Sequence, residues 1–138
     1  MALECRKFEI TIISAENLED VRLIGKMEVH ARVSIGGSPE REKRTPTDTH
    51  GKRNPAWNYT MEYTIMASVL DNYNSMLVVK LYCSRNLGDR YVGEVHVSMK
   101  RLFDDVAGGG RSGREVTIPV TRGSVRSQGA LTFSYSFG

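Results

Sequence analysis

The chain has 138 residues, 40% of them hydrophobic and 25% charged, with 19 Lys and Arg against 16 Asp and Glu for a formal net charge of +3. That describes one domain, residues 1–138, with a core of its own and ordinary globular chemistry. No run approaches the roughly 18 apolar residues of a membrane-spanning helix, and so small a charge acts only where it is clustered.

Strands account for nearly every element. Arg6 to Ala15 carries Phe8, Ile10 and Ile12 on one face and Lys7, Glu9 and Thr11 on the other. Met27 to Ile35 alternates strictly, with Met27, Val29, Ala31, Val33 and Ile35 inward and Glu28, His30, Arg32 and Ser34 outward. A turn through Gly36, Gly37, Ser38 and Pro39 leads to a basic strand over Arg41 to Thr47. Next comes Arg53-Asn54-Pro55-Ala56-Trp57-Asn58, where the proline suits a strand entrance because it lacks an N–H and biases its predecessor to extended geometry. Behind it Trp57, Tyr59, Met61, Tyr63 and Ile65 form an apolar face.

After a loop over Met66 to Ser75, Met76 to Cys83 offers Leu77, Val79, Leu81 and Cys83 to the core. Arg90 to Ser98 and Glu115 to Val120 follow, and Ala130 to Phe137 closes with Leu131, Phe133, Tyr135 and Phe137 on one face. A short helix is predicted over Met99 to Val106, capped by Ser98 and ended by Gly108, Gly109 and Gly110; a flexible loop runs on to Gly113. Eight strands, each apolar on one face, predict an all-β antiparallel sandwich of about two four-stranded sheets. Cys5 and Cys83 are too few for a disulfide framework. The Met-Ala-Leu-Glu-Cys start has neither a signal-peptide layout nor a myristoylation glycine, so a cytosolic chain is expected.

Catalysis finds no support in the pattern. His30, His50 and His96 sit on different elements, and none lies in a nucleophile motif or at metal-ligand spacing. Nucleic acid is not expected as a partner either, because the aromatics fall on inward faces, away from the basic residues. Thr45-Pro46 and Thr47 stand in a basic context as candidate phosphorylation sites.

The order of a first strand, "NLEDVRLIGKMEVHARV", a basic strand, "NPAWN" and then "LVVKLYCSRNLGDRYVGEV" resembles a C2 domain over essentially Phe8 to Phe137. "NPAWN" is similar to that family's Asn-Pro-x-Trp-Asn motif, and the added C-terminal strand resembles its circularly permuted type II topology. Within the family, "ITIISAENLEDVRLIGKMEVHARVSI" is most similar to small plant C2 proteins of the soybean cold-regulated and BONZAI-associated type. That resemblance implies membrane signalling in cold and defence responses, at the cytoplasmic side of the plasma membrane.

The resemblance also implies where calcium would bind. With Gly25 and Gly93 as the reference glycines, the family's aspartate positions fall on Arg22, Glu28, Tyr82, Ser84 and Arg90, leaving one acid among them. Asp20 and Asp89 lie close by, so a divergent set of Asp20, Glu28 and Asp89 stays open, and calcium with it. The same loops carry Arg22 and Lys26, Lys52 and Arg53, and Arg85 and Arg90, with Leu23, Ile24 and Leu87 as apolar tips. These residues predict calcium-independent docking on an anionic phospholipid membrane, with no cofactor required. A second basic site, Arg41, Lys43 and Arg44 joined by Arg32 and Lys80, matches where similar domains hold phosphoinositide headgroups; edge-strand protection is the other reading. The competing function is a module for a membrane-associated protein (a membrane enzyme, a copine or a pathogen effector), with His30, Arg32 and Tyr82 as contact residues.

Overall fold

The structure, a computed structural model, describes residues 4–22, 25–36, 42–107, 114–123 and 125–138. The strands are β1 (Cys5–Glu16), β2 (Val29–Ile35), β3 (Lys43–Arg44), β4 (Ala56–Met66), β5 (Met76–Cys83), β6 (Arg90–Ser98), β7 (Arg114–Arg122) and β8 (Val125–Phe137). A 3₁₀ turn over Ala67–Leu70 and one helix, α1 (Met99–Ala107), complete the described elements.

All pairs are antiparallel and follow the order β3-β2-β5-β6-β7-β8-β1-β4. The strands are therefore hydrogen-bonded as one sheet, where the sequence predicted two. The join at β6 and β7 is a single pair, Glu94 with Thr121, and the sheet folds over there into two four-stranded layers. Phe8, Ile10, Ile12, Met61, Tyr63, Ile65, Leu131 and Phe133 from one layer meet Val29, Ala31, Val33, Leu77, Val79 and Leu81 from the other in one buried core. The C-terminal strand β8 lies between β7 and β1, the place an added last strand takes in the type II arrangement.

Four local expectations need correction. The basic strand shortens to Lys43–Arg44, because Thr45 turns inward and is 4% exposed; its hydroxyl accepts the Ala31 N–H at 3.0 Å. In β4 the alternation breaks at Asn58, which has φ 46°, and the register with β1 shifts between Ile12 and Ser14. Tyr59, paired with buried Ile12 as the last regular position before that shift, keeps the inward face but is 40% exposed. Trp57 is half-buried, and its indole N–H donates to the Val29 carbonyl at 3.0 Å, tying β4 to the opposite layer. Ser98 precedes α1 as expected, but its Oγ is buried with no hydrogen-bond partner among the described residues, so it does not cap. The expected glycine end of the helix, the expected turn at Gly37 to Pro39 and the loop expected over Gly108 to Gly113 fall outside the described residues.

Candidate functional site

The first loop (17–28), the second (45–55) and the third (84–89) meet at one end of the sandwich. The Leu18 N–H donates to the Arg53 carbonyl at 3.0 Å, and Arg53 Nε returns a bond to the Leu18 carbonyl at 2.6 Å. The Asn17 N–H donates to Asn54 Oδ1 at 2.8 Å, and the Ser84 N–H to the Glu28 carbonyl at 2.7 Å. The β7–β8 hairpin joins from the side: Arg122 and Ser127 both reach the Glu19 carboxylate, at 3.2 and 3.3 Å. Sequence reasoning missed that hairpin, since Val125 to Gly129 has no period-two pattern to extend β8 back to it.

Three carboxylates at this end, Asp20, Asp48 and Asp89, are spent on the protein itself, while Glu28 stands on the wall of the cleft between the first and third loops. Asp20 accepts the Arg22 N–H at 3.1 Å and Arg22 Nε at 2.9 Å, and these bonds, the backbone one first, hold its carboxyl below the usual range. Asp48 accepts the His50 and Gly51 N–H groups at 2.6 and 2.8 Å and the Ala56 N–H at 2.6 Å. Burial pushes its carboxyl up, and the three N–H bonds outweigh that and pull it down. Asp89 accepts the Arg85 N–H at 3.1 Å, which is the leading cause of its lowered pKa, and Arg32 at 2.5 Å. Asp48 went unnoticed in the sequence, although aspartate just before a glycine-bearing turn is a known turn signal.

Calcium needs six to eight oxygens converging from several loops. Glu28 and Asp89 line one cleft but Asp20 does not join them, and no cluster of three or more His, Cys, Asp or Glu suited to a metal occurs among the described residues. The donor set present does not fit a calcium ion.

The cations divide into two groups. Arg22 is held by Asp20 and by the Gly25 carbonyl at 3.3 Å, and Arg53 is half-buried between the first two loops. Lys26, Lys52, Arg85 and Arg90 have no side-chain hydrogen bond or ion pair among the described residues. Lys26 and Arg85 line a cleft of about 290 Å³ between the first and third loops, together with Glu28, Ser84 and Leu87. Leu87 is 100% exposed at the tip of the third loop, next to Gly88 at φ 115°. Leu23 and Ile24 lie outside the described residues.

The described residues of the second basic site are split between the two faces of the sheet. Arg44, Arg32 and Lys80 fall in one cross-strand row on the outer face, but Lys43 pairs with inward Val33 and reaches the Glu62 carbonyl and the Tyr63 ring. Arg41 is outside the described residues. Arg32 is itself engaged: it lies 3.9 Å over the Tyr82 ring and binds both Asp89 and His30. Lys80 stands opposite Glu94.

His30, expected as an outward contact residue, is only 2% exposed beneath that layer. Ser84 Oγ lies 2.7 Å from His30 Nδ1, and Asp89 Oδ2 lies 3.7 Å from Nε2, which outwardly resembles a nucleophile triad. The tautomer is wrong for that role. Arg32 Nε donates to His30 Nε2 at 3.0 Å, so Nδ1 carries the proton and donates to Ser84 rather than accepting from it.

The C2 domain family model matches residues 6–112. The chain belongs to the C2 domain family. This C2 domain is 38% identical to Protein SRC2 of Glycine max over 100% of its own length and 48% of the relative's. It is 36% identical to the Arabidopsis thaliana homolog of Protein SRC2 over 99% of itself and 42% of that relative, so it spans about half the length of these curated proteins. Among solved structures it is similar to the C2A domain of a plant Extended Synaptotagmin 1, with a TM-score of 0.75 at 14% identity over 95% of this chain and 92% of that one. Family membership points to interaction with a membrane or a protein.

Proposed function

We propose that this C2 domain docks peripherally, and without calcium, on anionic phospholipid at the cytosolic face of the plasma membrane. The observation that carries the reading is the sorting of charge at the loop end. Asp20, Asp48 and Asp89 are turned into internal bonds, while Lys26, Lys52, Arg85 and Arg90 stay unpaired among the described residues, Lys26 and Arg85 sharing a cleft with the fully exposed Leu87. The anions of a lipid surface complete what the loops leave unpaired. Each such cation contributes about 1 kcal/mol at an anionic surface, so four give roughly 4 kcal/mol, enough for reversible binding only. The role in plant stress and defence signalling that the family resemblance implies would follow from this docking.

Sedimentation with phosphatidylcholine vesicles, with and without phosphatidylserine, tests it. Binding is expected only with phosphatidylserine; it should persist in a chelator and weaken as salt rises. Lys26→Glu combined with Arg85→Glu should cut affinity at least tenfold while leaving the melting temperature unchanged. Loss of binding in chelator would overturn the calcium-independent reading. Equal binding to neutral vesicles would overturn the electrostatic reading, and binding to neither would favour a protein partner instead.

A further inference from the structure

The structure separates two threonines that lie two residues apart. Thr45 is 4% exposed, and its hydroxyl both accepts the Ala31 N–H and donates to the Pro46 carbonyl at 2.9 Å. A kinase reading Thr45-Pro46 would have to pull this side chain out of the sheet. Thr47 is exposed, on irregular backbone between two fixed points, the Thr45 N–H on the Ala31 carbonyl and the Asp48 N–H on the Val29 carbonyl, both at 2.9 Å. Arg44 stands three residues before it.

Thr47 lines a second cleft of about 300 Å³ with Arg44, Ser84, Arg85 and Asn86, and its hydroxyl shares a hydrogen bond with Ser84 Oγ at 2.8 Å. Of the carboxylates nearby, Asp48 is turned to the N–H groups of its own loop, and Asp89, also on the cleft wall, is held by Arg32 at 2.5 Å and stands 4.0 Å from Arg44 Nη2, a looser pair that a phosphate on Thr47 would compete with. Glu28 is the remaining carboxylate on the cleft wall, against two guanidinium groups.

We propose that Thr47 is a phosphorylation site for a basophilic kinase, one selecting arginine three residues upstream, and that its phosphate switches off docking by engaging Arg44 and Arg85. The switch rests on the docking reading above. In the transfer, Thr47 Oγ1 attacks the γ-phosphorus of ATP and its proton passes to the kinase's base. The bond from that phosphorus to the β,γ-bridging oxygen breaks, ADP leaves, and a phosphate ester remains on Thr47. The ester carries about −1.5 to −2 charges with three acceptor oxygens, matching two guanidinium groups through charge-assisted bonds. Arg85 then serves the phosphate instead of the membrane, and the added negative charge opposes an anionic surface.

The test treats the folded full chain with the catalytic subunit of cAMP-dependent protein kinase and magnesium ATP. Phosphate is mapped by tandem mass spectrometry, and both forms are compared by melting and by sedimentation with phosphatidylserine vesicles. Phosphate is expected on Thr47 and not Thr45, with transfer lost in Arg44→Gln and Thr47→Val. Vesicle affinity should fall about ten- to thirtyfold. The melting temperature should rise by about 3 °C, but not in Arg85→Gln. Absence of phosphate from Thr47 overturns the site, and equal vesicle binding by the two forms overturns the switch. Should the unmodified chain fail to bind anionic vesicles, the docking reading falls and the switch with it; the mass map and the melting shift still decide the site and its seating.

Discussion

His30 shows how far a side chain's setting can differ from its place in the strand pattern. Alternation puts it on the outer face of β2, and it is there, but Tyr82 stacks on it and Arg32 closes over both. Burial lowers its pKa below 6.5, Arg44 and Arg32 lower it further, and Asp89 opposes them in part. The unfolded chain therefore binds a proton near pH 6.5 that the folded chain refuses. The stability at stake is fully present above pH 6.5 and is lost as pH falls toward the folded value. Urea unfolding midpoints between pH 7.5 and 5 should fall for the native chain and stay flatter for His30→Gln; equal slopes would show that His30 titrates normally. The sequence revealed which residues at the loop end were charged, but not which were spent. Arg22 and Lys26 look alike in the chain, yet one holds Asp20 and the other faces solvent, because that depends on contacts the loop makes only once folded.

The elements were legible where one face is apolar over several residues, as in β1, β2, β5 and β6. They were illegible where loop contacts override the period. The β4 irregularity at Asn58 and the early start of β8 at Val125 have no periodic mark. The second loop shows the physical reason, since one carboxylate organises it. Asp48 gathers three N–H groups, from His50, Gly51 and Ala56, across the entrance to β4. Gly51 is required beside it, because a Cβ there would stand 2.3 Å from the Asn54 carbonyl oxygen. In Asp48→Asn one acceptor becomes a donor facing another N–H. The expected cost is about 1–3 kcal/mol, read as a lower urea midpoint at unchanged slope. Because the native carboxyl is held below 3.8, its stabilisation is present above that pH and is lost on acidification beneath it. An unchanged midpoint in the variant would mean that the loop holds its shape without the charge.

At the scale of the molecule, two layers follow from one-faced strands, but which edges join does not, because period two is silent about neighbours across the sandwich. The join depends on Gly93. A Cβ at this position would lie 2.5 Å from Val120 Cγ1 and 3.0 Å from the Thr121 carbonyl oxygen, so any larger residue parts β6 from β7 next to Glu94 and Thr121, the one pair that joins them among the described residues. Gly93→Ala should therefore destabilise the fold by about 1–3 kcal/mol. The strain has a named partner, which makes it testable by coupling. Val120 is fully buried, so Val120→Ala alone should also destabilise by leaving a small cavity. In the double variant the new methyl occupies part of the space that Val120 vacates, and the combined loss should be smaller than the sum of the two. Strictly additive losses in urea unfolding would show that backbone freedom, rather than the approach of the two layers, is what Gly93 supplies. The same closure carries the β7–β8 hairpin to the loop end, where Arg122 meets Glu19. A parted seam should thus weaken vesicle docking even though Gly93 itself lies away from the clefts lined by Lys26, Arg44 and Arg85.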